Sequence, residues 1–361
     1  MDPRIREHAE TIVDHSVDVG EGDRVVIQLP SEAGDLAVAL YELCGDRGAQ
    51  PIWLANSDRA SRAFLRAAGE EYETPDHQQA LYEETDVFII ARGGANVSET
   101  SDVPPENNAA YRRAVKPILE ERLSKRWCLT QYPTSGHAQL AGMSTEAYQN
   151  FVWDAVSLDW EAQREFQARM VKLLDAAEEV RIVAGEETDL TLSIAGNETL
   201  NDDGEKNLPG GEVFTAPVVD SAEGVVHFDR PLYRQGREIG DVRLTFEDGV
   251  VVEHSAGRNE ALLTEILDTD EGARRLGELG IGMNRSIDRF TYNTLFDEKM
   301  GDTVHLAVGS AYPETVGEGN AVNESAEHVD MIVDMSEDSR LELDGDVVQR
   351  NGTFVFEDGF E

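Results

Sequence analysis

Near residues 180–185 the apolar pattern of this chain changes its period, and one sheet cannot accommodate what lies on both sides of the change. Upstream, compact apolar runs alternate with stretches of helical spacing: RVVIQL (24–29), a helix over 35–47, PIWL (51–54), a helix over 60–68, and DVFIIA (86–91). A helix over 108–124 and the run WCLTQ (127–131) continue the series, and an opening helix over 4–17, with Ile5, Ile12, Val13 and Val17, precedes it. Short β-prone runs joined through helices are βαβ units, which build a parallel sheet with helices on its faces. Downstream, the runs 180–183, 189–194, 224–228 and 241–246 are β-prone and separated by Gly, Asp and Asn turns. The amphipathic stretch 143–177 leads from one texture to the other. A chain of 361 residues also exceeds what one core normally holds. The expected class is α/β, with an open α/β sheet domain over 1–183 and a mixed α+β domain over 184–361.

Charge narrows the function. Acidic residues number 72 against 31 basic ones, a formal charge of −41, and the acid is spread along the whole chain. No basic stripe exists to neutralise phosphates, which excludes a nucleic-acid partner. Only five of the basic residues are Lys, at 116, 125, 172, 206 and 299, and the composition resembles that of proteins working in molar salt. There the Debye length falls to roughly 3 Å and self-repulsion is largely cancelled. The opening MDPRIREHAE is charged where a secretory leader needs an apolar run, and no apolar stretch is long enough to span a bilayer. Cys44 and Cys128 lie in apolar runs, as buried thiols of a reducing compartment do. A cytoplasmic location without membrane attachment is the expectation.

The chemistry is concentrated in the second half. A carboxylate in so acidic a chain is ordinarily solvated, so context has to single out the others. Glu212 follows Pro209-Gly210-Gly211 and enters the β-prone VFT, and Glu278 stands between Gly277 and Gly280 among small and apolar residues. Glycine lets backbone approach a ligand closely, and a carboxylate buried there needs a cation or a proton. His305 lies in TVHLAV, a strand whose alternation sends it to one face with Thr303 and Ala307. His328 and Asp330 are two apart in HVDMI, and on a strand such residues share a face. Together these five groups are a mixed imidazole and carboxylate set, which suits zinc, cobalt or manganese better than magnesium or calcium. No cysteine stands in this half, so a thiolate zinc site is excluded. Elsewhere, Gly93-Gly94 lacks the rest of a phosphate-binding pattern and reads as a tight turn. Ser135 before His137 has no nucleophile elbow to present it.

In order along the chain, PGGEVFTAP, GELGIG, HLAVGSAYPE and HVDMI resemble the motifs of the aminopeptidase T family, which includes the staphylococcal aminopeptidase S. The likeness covers most of the chain. It implies a cytoplasmic, dimeric enzyme that removes N-terminal residues from peptides with two divalent ions, usually described as cobalt or zinc. It makes the 184–361 domain the metal-binding catalytic one, with Glu212, Glu278, His305, His328 and Asp330 as ligands and Glu278 as the bridge. Tyr312 then matches the family's active-site tyrosine, and Glu298 in FDEK resembles a further family glutamate. Val329 replaces the aromatic residue that many relatives carry between the last His and Asp. Combined with the charge, the likeness is to a haloarchaeal type of member. Two ions about 3.5–4 Å apart activate a shared hydroxide and receive the peptide carbonyl oxygen. Tyr312 would hydrogen-bond the oxyanion, and Glu298 or Glu212 would shuttle the proton to the leaving amine.

Two other readings compete with it. A dioxygenase branch resembling this family keeps the His and the His-x-Asp and loses the glutamates. His305, His328 and Asp330 would then bind one Fe(II) for ring cleavage, although Glu212 and Glu278 are retained here. A non-catalytic acidic binding protein would leave the five groups dispersed in space.

Overall fold

The computed structural model describes residues 2–69, 71–234 and 237–360 and divides into two compact units. The first comprises Met1–Leu158 and Gly204–Gly210. Helix α1 (Pro3–Glu10) begins at Asp2, whose carboxylate accepts from the Arg4 amide, and continues as a π-helical turn over Thr11–Ser16. There follow β1 (Arg24–Pro30), α2 (Gly34–Asp46), β2 (Gln50–Asn56), α3 (Asp58–Ala67), α4 (Asp76–Glu83) and β3 (Val87–Arg92). Next come α5 (Pro105–Leu123), β4 (Arg126–Gln131), α6 (Ser135–Leu140) and α7 (Thr145–Val156). The strands pair in parallel in the order β2-β1-β3-β4, and a short strand at Asn207–Leu208 pairs in parallel with β4.

A parallel sheet covered on both faces needs near-continuous apolar strands, and Val25, Val26, Ile27, Val87, Phe88 and Ile89 are all buried. Gly93-Gly94 leaves β3 without regular structure, and the turn comes later, at 97–100. The Thr134 hydroxyl holds the segment, donating to the Gly94 carbonyl at 2.7 Å and accepting from the Gly94 amide at 3.1 Å.

The second unit comprises Asp159–Asp203 and Gly211–Glu361. The division falls ahead of the boundary expected at 183, for a physical reason. The helical stretch 143–177 breaks after Val156, and its second half, α8 (Trp160–Leu174), is started by Asp159, whose carboxylate accepts from the Ala162 amide at 3.1 Å. Its Met170 and Leu174 belong to the core of the second unit.

The chain then runs through β5 (Glu179–Ala184), β6 (Thr188–Ser193), β7 (Leu200–Asp202), the Asn207–Leu208 strand as β8, β9 (Glu212–Thr215) and β10 (Glu223–Phe228). It continues through β11 (Leu232–Arg234), β12 (Arg237–Glu247), β13 (Val250–Arg258), α9 (Glu260–Leu267), β14 (Leu276–Gly282), α10 (Thr294–Asp297) and β15 (Thr303–Gly309). The last strands are β16 (His328–Asp334), β17 (Ser339–Leu343), β18 (Asp346–Arg350) and β19 (Thr353–Phe354).

One antiparallel sheet is ordered β11-β12-β10-β6-β5-β17-β18-β19, with β13 on β12, and the other β16-β15-β14-β9-β7. They share one core, to which the first gives Val180, Ile182, Leu190, Val226 and Phe246, and the second Leu279, Ile281, Val304, Leu306 and Met331. Each such side chain contributes about 1.5–3 kcal/mol on burial, so the second sheet is firmly backed on one face. Among the described residues no helix is long and apolar enough to cross a membrane.

Candidate metal centre

Residues directly opposite in an antiparallel pair share a face of the sheet. Gly280 is opposite His305 on one side and Phe214 on the other, and Ala307 is opposite both Glu278 and Asp330. Gly282 is opposite Glu212, and Gly309 is opposite His328. With a side-chain period of two, Glu212, Glu278, His305, His328 and Asp330 all project from one face, and Gly280, Gly282, Ala307 and Gly309 leave room between them. The alternate residues Val304, Leu306 and Val308 enter the core on the other face.

The glycines that marked these segments in the sequence have a steric origin. A Cβ at Gly280 would lie 2.0 Å from the His305 ring. Gly211 has φ +117°, and a Cβ there would lie 2.4 Å from Asn284 Cβ, so the chain enters β9 at Glu212 only through glycine.

Glu212, Glu278 and His305 offer ligand atoms within 4.8 Å of one another, and so do Glu278, His328 and Asp330. Glu278 belongs to both triads, with Oε1 3.1 Å from His305 Nε2 and Oε2 3.5 Å from His328 Nε2. Glu212 Oε2 lies 3.4 Å from His305 Nε2, and Asp330 Oδ1 3.4 Å from His328 Nε2. His328 Nδ1 donates to the Ser310 carbonyl at 2.7 Å, which fixes the tautomer that turns Nε2 to the carboxylates. The Gln167 amide donates to the Glu212 carbonyl at 2.9 Å and anchors the start of β9.

Glu212 and Glu278 are each 5% exposed and His305 1%. Among the described residues, Glu212 Oε2, Glu278 Oε2 and His305 Nδ1 have no hydrogen-bond partner. A buried carboxylate oxygen left in that state is costly by several kcal/mol unless a cation meets it. The orphaned atoms and the mixed oxygen and nitrogen donors therefore fit borderline divalent ions, and two triads with one shared carboxylate fit a pair of them.

Burial pushes the Glu212 carboxyl up to about 8, with Lys299 opposing it. Burial acts to lower both imidazoles, yet Glu278 and Glu212 beside His305 and Asp330 beside His328 outweigh it, raising them to about 9 and about 10. Burial acts to raise Asp330, and His328 outweighs it and holds that carboxyl below the usual range. Tyr312 stands edge-on to Phe214 and His328, with ring centroids 5.8 and 5.2 Å away. Although 47% of the residue is exposed, desolvation and then the charges of Glu278 and Asp330 push its phenol up, so the hydroxyl keeps its proton.

Glu298 follows α10, belongs to neither triad, and is bonded to Lys299; burial raises its carboxyl and Lys299 opposes that. Lys299 is the member of the site that the sequence did not reveal. It is 0% exposed, and its Nζ lies against Glu298 Oε1, 2.9 Å from Glu212 Oε1 and 3.6 Å from Asp202 Oδ2. Its one sequence signal is being a lysine in a chain that otherwise prefers arginine.

Known proteins match along the whole chain. The sequence model of the family described as Thermophilic metalloprotease (M29) matches residues 1–360. Aminopeptidase T of Thermus aquaticus is 29% identical, over 96% of this chain and 95% of its own. The solved structure of wild-type AmpT from Thermus thermophilus has a TM-score of 0.86 at 28% identity, covering 98% of this chain and 99% of its own. A 2,5-dihydroxypyridine dioxygenase from Pseudomonas putida KT2440 has a TM-score of 0.61 at 13% identity over 99% of each chain, a likeness of fold alone. By a family match that runs the length of the sequence, the chain belongs to the thermophilic metalloprotease (M29) family.

Proposed function

We propose that this chain is an aminopeptidase that removes N-terminal residues from peptides, with Glu212, Glu278 and His305 holding one divalent ion and Glu278, His328 and Asp330 a second. The observation that carries it is the place of Glu278 in both triads. The names of the Thermus relatives support the activity, and the donor set supports zinc, cobalt or manganese. When bound, such ions supply a water nucleophile at neutral pH and an electrophile for the peptide carbonyl. Tyr312, whose hydroxyl keeps its proton, donates a hydrogen bond to the carbonyl oxygen as charge develops on it. Glu298, with its carboxyl raised by burial, carries a proton to the leaving amine.

The iron dioxygenase reading loses support because Glu212 and Glu278 complete a second triad where one facial set would suffice. A dispersed acidic binding surface is at odds with five ligand-type residues on one sheet face. The same reading carries a cytoplasmic homodimer, supported by the family likeness and, for the compartment, by the burial of Cys44 and Cys128.

The test is metal content per chain, together with hydrolysis of a panel of aminoacyl anilides, for protein purified in molar KCl. Two ions in the wild type, and loss of ions and activity together in Glu278→Gln, are expected. One iron per chain, or no hydrolysis with any divalent ion, would sink the proposal.

A further inference from the structure

Lysine is scarce in this chain, with five residues among 31 cations, and one of the five is buried beside the metal centre. An ammonium is a compact charge with three donors, whereas a guanidinium is a planar fork. Three carboxylates converge on Lys299 from three places in the fold: Asp202 from β7, Glu212 from β9 and Glu298 beside Lys299 itself. Only the compact ion suits a meeting of that shape, which accounts for a lysine where arginine serves elsewhere.

The contact divides the work of Glu212. Its Oε1 is taken by Lys299 at 2.9 Å, and its Oε2, without a hydrogen-bond partner among the described residues, is turned to His305. The carboxylate is thereby oriented to give one oxygen to an ion and not two. Glu298 is tied in the same way through its Oε1.

Charge points in the same direction. Asp202, Glu212, Glu278, Glu298 and Asp330 bring five carboxyl groups into one buried region. With all five ionised and both histidines neutral, as ligands of bound ions would be, two divalent ions would balance four of the charges and one ammonium the fifth.

Resting on the two-ion reading above, we propose that Lys299 is a built-in third cation of the centre. It is a positioning residue that orients Glu212 and Glu298 and closes the acidic cluster to a further ion. Lys299→Met removes the ammonium and keeps an unbranched stem one atom shorter, so it leaves an acidic vacancy that a divalent ion can enter.

The test uses the full-length chain stripped with a chelator and then titrated with Mn²⁺, reading melting temperature and bound ions per chain. The wild type takes up two ions. Lys299→Met melts well below wild type in chelator, the gap falls by half or more in saturating Mn²⁺, and the variant takes up more than two ions per chain. A gap of the same size with and without Mn²⁺ would overturn the proposal, leaving Lys299 as a residue of the fold only. Should Lys299→Met fail to fold without ions, Lys299→Gln, which keeps a donor and loses the charge, carries the same comparison. Fewer than two ions in the wild type would overturn the two-ion reading itself, an outcome distinct from failure of the lysine's role.

Discussion

At Gly280 the centre depends on a missing side chain. A methyl group there would meet the His305 ring at 2.0 Å, and His305 stands in a fully buried strand with little freedom to retreat. Gly280→Ala should therefore reduce ion uptake and peptide hydrolysis while far-ultraviolet circular dichroism stays that of wild type; full metal content in this variant would show that the ring is not a ligand. Tyr312 gives a different signature, since its ring stands beside His328 and its hydroxyl keeps its proton. Tyr312→Phe should lower kcat by about 10²–10³-fold, the usual effect of losing one oxyanion donor, with metal content and KM near wild type. A drop in metal content instead would make the tyrosine a structural support. Glu212 and Glu278 were legible as candidate ligands because glycines stand beside them, and glycine on a buried strand signals close approach; His305, His328 and Asp330 were legible from strand alternation, which puts residues two apart on one face. Lys299 was not, because its meaning comes from Asp202 and Glu212, distant in sequence and brought to it by strand pairing.

Helix α1 carries an acid sensitivity of its own. It buries His8, whose Nε2 lies 2.8 Å from Thr130 Oγ1 of β4 and whose Nδ1 has no hydrogen-bond partner among the described residues. Burial lowers this imidazole from 6.5 to about 4. Above pH 6.5 it is neutral folded or unfolded and has no effect. As pH falls below that, the unfolded chain takes up a proton that the folded one refuses, so stability declines until about pH 4 and then levels off. Between pH 7 and pH 5 the loss is about 2 kcal/mol. Denaturant midpoints at those two pH values should fall more for wild type than for His8→Gln, and an equal fall would place the sensitivity elsewhere. At the same scale, strands such as β1 and β3 were readable from their apolar runs alone. The break within 143–177 was not, because both halves are amphipathic and an apolar stripe does not say which core it will enter.

Across the whole molecule the charge of −41 sets the solution conditions that suit the fold. Arginines pair with surface acids in many places, such as Arg181 with Asp189 and Arg62 with Asp102, but exposed pairs of this kind contribute about 0–1 kcal/mol each. They leave most of the self-repulsion in place. Raising KCl from about 0.1 M to about 1 M shortens the Debye length from roughly 10 Å to roughly 3 Å, and the melting temperature should rise steadily with it. A flat or falling profile would mean that acid on this surface is well compensated locally. The path of the chain has a separate consequence. Gly204–Gly210 leaves the second unit, lays β8 along β4 of the first, and returns at Gly211, one residue before Glu212. Neither unit is a continuous stretch of polypeptide, so no single nick releases either one whole. A gene fragment ending at Leu158 would encode a sheet lacking its outer strand, and the half that holds the candidate ligands cannot be moved to another protein as a simple cassette.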